Sequence, residues 1–168
     1  YSPEGVPCSN GRKNRAPVPP YQVIRFRDIH RLSRNVRPLH RKQDYNEDPF
    51  LIGRKALACS LSDIAAMGGM PTAAVVSLGL PQKCSIRFVD EIYRGINSLA
   101  VKFKTSIVGG DTVKSAKLAI NVAMIGEAEK TKVILRSGAK IGDQIFVTGP
   151  LGRSFRTKKH LSFTPRLS

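Results

Sequence analysis

The stretch GRKALACSLSDIAAMGGMP, residues 53–71, decides the fold. Leu57, Leu61, Ile64, Ala65 and Gly68 recur at helical spacing and form one stripe about 100° wide on a 3.6-residue wheel, which predicts a helix over 53–68. Gly68-Gly69 closes that helix and Pro71 forbids its continuation. TAAVVSLGL, 72–80, then reads as a buried strand ending at Pro81. Ser85 caps a second helix reaching Phe103, with Ile86, Val89, Ile92, Ile96, Leu99 and Phe103 on its core face. Strands are expected at 105–109, 117–126 and 131–136, and a fourth at 144–148 after the turn signal of 137–143. Helix, strand, helix and then several strands imply an α/β (α+β) fold, a mixed β-sheet with helices on one face.

Outward from this body the composition changes. The chain has 168 residues and 41% hydrophobic content, enough for one ordinary domain and its core. It carries 28 Lys and Arg against 12 Asp and Glu, a formal charge of +16. Residues 11–42 hold ten Lys or Arg and one acid, Asp28; residues 152–168 hold five and no acid. These two flanks supply +9 and +5, so the middle is close to neutral. Both flanks lack clean periodicity. The expected organisation is a basic, Pro- and Arg-rich leader over 1–48, without regular order, an organised body over 49–151, and a basic tail over 152–168.

No run is long and apolar enough to cross a membrane, and no export signal is visible. Cys8, Cys59 and Cys84 are odd in number and lack metal spacing, which fits a reducing cytoplasm. Positive charge favours polyanionic partners. Yet the flanks have few aromatics and no helix-turn-helix or RNA-recognition motif, so a nucleic-acid-binding module is the lesser reading.

Five positions carry candidate chemistry. Asp63 points about 130° away from the apolar stripe of the first helix, toward the small residues Ala56, Cys59 and Ala66. It suits a ligand-facing carboxylate or a solvated helix face. Gly109-Gly110-Asp111-Thr112 ends a short apolar strand, where glycines admit phosphate and a carboxylate can hold magnesium; the same residues also make an ordinary turn. Arg136 is placed to neutralise phosphate, or to sit on the surface. Tyr93 lies at the edge of the second helix's apolar stripe, where core packing is the plain explanation. Thr148-Gly149-Pro150-Leu151-Gly152 either brackets a ligand or turns the chain. A Walker A pattern, a Cys/His cluster and a Ser–His–Asp set are all missing, so no residue is assigned a catalytic role.

Taken together, these segments resemble thiamine-monophosphate kinase. Residues 53–71 closely resemble its GxKALAxNLSDxAAMGxxP segment, and VSLGLP (76–81), EIYRGI (91–96), IVGGDT (107–112) and VILRSGAKIGDQIFVTGPLG (133–152) follow in order. The resemblance implies the amino-terminal domain of the aminoimidazole ribonucleotide synthetase-like fold. It also implies transfer of the γ-phosphoryl group of ATP to thiamine phosphate, giving thiamine diphosphate. Asp63 and Asp111 would be Mg2+ ligands, the Gly110 backbone would lie against ATP, Tyr93 would contact the nucleotide and Arg136 would pair with its phosphates. A homodimer through the sheet is implied as well. Related ATP-dependent synthetases and hydrogenase-maturation proteins share the fold and fit the motifs less well.

The departures lie in the flanks. The family's paired-aspartate DDxA segment and its TDxxVEGVHF strand are not matched in 1–48, and NVRPLH (35–40) does not carry the histidine role onto His40. After LGRS (151–154) the family pattern breaks, and HLSFTPRL (160–167) resembles sequence that comes later in the family. The expectation is an ATP-binding half with an aberrant leader and no second domain, with little or no kinase activity of its own.

Overall fold

The computed structural model of the chain describes residues 21–25, 47–149, 157 and 159–167, the first five as backbone only. Strand β1 is Tyr21–Arg25, helix α1 Pro49–Ala66, β2 Met70–Leu80, α2 Ile86–Lys102, β3 Ser106–Lys114, β4 Ala119–Glu129, and α3 is the single turn Lys159–Ser162. The sheet order is β1-β4-β2-β3. β2 pairs parallel with β3 and antiparallel with β4, and β1 pairs antiparallel with β4. This is the mixed sheet expected from the order of elements. β1 falls inside the stretch read as leader, so the sheet reaches beyond the 49–151 body.

Each helix boundary has a local cause. Asp48 caps α1 by accepting the Phe50 N–H at 2.9 Å, and Pro49 takes the first helical position, where no donor is needed. The helix therefore starts four residues ahead of the expected Gly53. At its other end Gly68 has φ 70°; its N–H donates to the Ala65 carbonyl at 2.9 Å and that of Gly69 to Ile64 at 3.0 Å. This left-handed closure is the stop expected from Gly68-Gly69. Ser85 caps α2, its hydroxyl accepting from the Phe88 N–H at 3.2 Å.

The core lies between the helices and one face of the sheet. Leu57, Leu61 and Ile64 of α1, Ile92, Ile96 and Leu99 of α2 are buried against Val76 and Leu78 of β2 and Val122 and Met124 of β4. Along β2 and β4 burial alternates, so Val75 and Ile125 stand exposed on the face away from the helices. The only buried polar side chains among the described residues are Ser60 and Thr105; the Ser60 hydroxyl donates to the Val122 carbonyl at 3.3 Å.

Three strand expectations change. The 105–109 strand continues to Lys114, so Gly110-Asp111-Thr112 is strand and not turn, because β2 offers a parallel partner as far as Leu80↔Lys114. Ala74 pairs with Ile107 and Val75 with Gly109, leaving Val108 as an extra residue in β3, a bulge. Residues 131–136 and 144–148 are not strands. β4 is already flanked by β1 and β2, and these apolar runs have no strand partner among the described residues. Ile134, Leu135, Ile145 and Phe146 consequently remain exposed.

The tail contributes to packing. Leu161 of α3 is buried, and Phe163 and Leu167 pack on the core. Arg54 of α1 donates to the Phe163 carbonyl at 3.1 Å and to the Thr164 hydroxyl at 2.6 Å. Arg166 donates to the Thr148 carbonyl.

Candidate functional site

Asp63 leaves the last turn of α1, one residue before the buried Ile64 that anchors the helix end. Its carboxylate is partly open to solvent. The segment after β4 returns to this helix end, where the Ile134 N–H donates to the Met67 carbonyl at 3.2 Å. That bond brings Arg136 alongside: its guanidinium lies 3.9 Å from Asp63 Oδ1, with the two side chains 63% and 38% exposed. Two residues singled out separately in the sequence thus form one charged pair, a contact across a separation of 73 positions that gave no sequence signal.

Beneath this pair on α1 lies Cys59. Burial pushes its thiol above the usual range, Lys55 pulls it back and the negative charge of Asp63 adds to the rise. The thiol therefore senses the same carboxylate that Arg136 faces.

Asp111 stands on β3, at the opposite edge of the sheet from β1. It is exposed, and its Oδ1 accepts the Thr112 N–H at 2.7 Å. The register sets it opposite Ser77 of β2, which in turn opposes Asn121 of β4. Gly110 precedes it where a side chain cannot fit: a Cβ would collide with the Val76 carbonyl. Its backbone is thus bare of side chain, the property needed for close approach of phosphate. Tyr93 is half-buried and packs against the core, the packing role left open by the sequence.

These residues fit magnesium in one particular way. Carboxylate oxygens are its preferred donors, and the Asp63 carboxylate already attracts a cation, the Arg136 guanidinium. Among the described residues, however, no three His, Cys, Asp or Glu side chains converge into a protein cage. The donor set suits an ion held by one or two carboxylates and completed by phosphate oxygens and water. Among the described residues, no helix is long and apolar enough to cross a membrane.

The fold and sequence have relatives among known proteins. The AIR synthase related protein N-terminal domain matches residues 23–128, from β1 to β4. A thiamine-monophosphate kinase of Bacillus subtilis is 47% identical over 120 residues, which is 71% of this chain and 37% of the relative. That of Aquifex aeolicus is 39% identical over 106 residues, 63% of this chain and 34% of the relative. The chain thus spans little more than a third of the curated relatives it matches. The crystal structure of thiamine-monophosphate kinase from Stenotrophomonas maltophilia superposes with a TM-score of 0.63 at 27% identity, covering 84% of this chain and 44% of that one. The structure described as AaThiL complexed with AMPPCP and TMP superposes with a TM-score of 0.55 at 31% identity, over 73% of this chain and 35% of that one. By its sequence match and its fold, the chain belongs to the AIR synthase related protein family and carries that family's N-terminal domain.

Proposed function

We propose that this chain forms the nucleotide- and magnesium-holding part of a thiamine-monophosphate kinase, acting in transfer of the γ-phosphoryl group of ATP to thiamine phosphate. The observation that carries this reading is the Asp63–Arg136 pair, a carboxylate suited to a cation beside a guanidinium suited to phosphate. Its support is the identity to thiamine-monophosphate kinases and the likeness to a relative complexed with an ATP analogue and TMP.

Phosphoryl transfer asks a protein for positioning and for positive charge over the phosphate oxygens, and for little covalent work. Asp63, with Asp111, would hold Mg2+, which when bound neutralises phosphate charge. Arg136 lays a planar fork of donors against phosphate oxygens. Gly110 lets the nucleotide lie on backbone, and Tyr93 borders it. None of these groups acts as a nucleophile or general base, so no catalytic side chain is assigned. Two carboxylates are few for the several ions of a triphosphate site, and the chain alone is expected to bind nucleotide weakly and turn over little or not at all.

The organised body of 49–151 is the functional unit in this reading, with the 1–48 leader and the 152–168 tail as flanks. A homodimer through the sheet is supported by the exposed apolar side chains Val75 and Ile125 on the face away from the helices. A cytoplasmic location fits the free thiols of Cys59 and Cys84.

Calorimetric titration with AMPPCP in the presence of Mg2+ tests the site. Binding that requires the metal and weakens about tenfold in Asp63→Asn supports it; metal-independent binding unaffected by that change overturns it. Sustained turnover of ATP with thiamine phosphate by the chain alone overturns the expected lack of activity.

A further inference from the structure

We propose that Arg136 is an exchangeable counter-ion of Asp63: it fills the cation position at the carboxylate before ligands arrive, then transfers to phosphate when a divalent ion takes its place. This deepens the proposed function and rests on Asp63 being a metal ligand.

The geometry is that of a loose pair. At 3.9 Å the guanidinium is beyond the 2.7–2.9 Å typical of a charge-assisted hydrogen bond, and both side chains reach solvent. Such a pair holds weakly and can be displaced. The two partners also differ in how firmly they are fixed. Asp63 rides on a helix whose neighbouring Leu61 and Ile64 are fully buried and whose end is locked by the Gly68 and Gly69 hydrogen bonds. Arg136 sits on a segment without helix or strand, beside Ile134 and Leu135, which are themselves exposed. Displacement therefore moves the arginine and leaves the carboxylate in place.

The exchange has a consequence that a merely structural ion pair lacks. A resident positive charge competes with a free divalent ion for Asp63. The same charge assists an ion that arrives with nucleotide, because phosphate gives the guanidinium somewhere better to go. Removing it must therefore act with opposite sign in the two situations.

Binding of Mn2+ to the full chain, followed by the loss of its free electron-paramagnetic-resonance signal, reads both situations. Without nucleotide, Arg136→Gln is expected to bind Mn2+ about threefold more tightly than the parent chain. With AMPPCP present, the same variant is expected to bind the metal–nucleotide complex about tenfold more weakly. General loss of structure would lower both affinities, so the split in sign separates exchange from misfolding. Mn2+ affinity unchanged or reduced in nucleotide-free Arg136→Gln overturns the exchange. Asp63→Asn distinguishes the two levels. If it lowers Mn2+ binding while Arg136→Gln does nothing, only the exchange fails. If it leaves Mn2+ binding intact, the metal role of Asp63 fails and takes the exchange with it.

Discussion

Gly53 of α1 and Gly95 of α2 let the two helix backbones touch: a Cβ on Gly53 would overlap the Ile92 carbonyl, and one on Gly95 the Phe50 carbonyl. Glycine inside a helix ordinarily costs about 0.5–1 kcal/mol relative to alanine. Here its missing side chain brings the helices close enough to bury Leu57, Ile92 and Ile96 between themselves and the sheet. The contact also fixes the direction of α1, and with it the position of Asp63 nearly three turns along.

Gly95→Ala is accordingly expected to destabilise the chain by about 2–3 kcal/mol despite its better helix propensity. Asn97→Ala, at an exposed position two residues away, is expected to change stability by less than about 0.5 kcal/mol. Urea titrations of both variants give the comparison.

The end of α2 offers a gain. Lys104 has φ 52°, the left-handed conformation that glycine occupies after α1, and its N–H donates to the Val101 carbonyl at 3.2 Å. Lys104→Gly removes the strain on the Cβ and is expected to raise stability by about 0.5–1 kcal/mol. A higher thermal midpoint checks it.

Arg54 ties the tail to α1 through the Phe163 carbonyl and the Thr164 hydroxyl. Arg54→Ala is expected to cost about 1–2 kcal/mol. Amide hydrogen exchange should accelerate over 159–167 first, leaving β2 and β4 protected as in the parent chain.

Both described thiols are raised by burial, Cys59 being much the more enclosed. Iodoacetamide is expected to alkylate Cys84 before Cys59, as read by peptide mass mapping. Because the folded chain holds the Cys59 proton more tightly than the unfolded one, stability falls as pH rises above the ordinary thiol value of 9.0. Cys59→Ala should flatten that alkaline decline.

The helices and their ends were legible because local chemistry writes them: Gly68-Gly69 stops one, Ser85 starts the other. The start of α1 had its signal too, in Asp48-Pro49, overshadowed by the apolar stripe that begins later. Strands were harder, since an apolar run becomes a strand only where another strand pairs with it. Residues 131–136 and 144–148 have the composition and pair with no strand among the described residues. At the site, Asp63, Asp111 and Arg136 were visible as residue types in a familiar order. That Arg136 comes to rest beside Asp63 depends on the Ile134–Met67 bond and on how the chain returns from β4, which no local pattern encodes. The Gly53–Gly95 contact was hidden for the same reason: a helical glycine looks like a weakness until the facing backbone is known.

The sheet order also governs how the chain must assemble. β2 has no hairpin partner: Val76 waits for Gly110 on one side and for Val122 on the other, both of which leave the ribosome later. Until then MPTAAVVSLGL is an apolar strand with two bare edges, the kind of segment that pairs wrongly with its neighbours. α1 and α2 can form at once from their own caps, whereas the central strand has to be sheltered through synthesis. The vulnerable moment of this chain comes before its last two long strands emerge, and yield during expression will depend on how fast they follow.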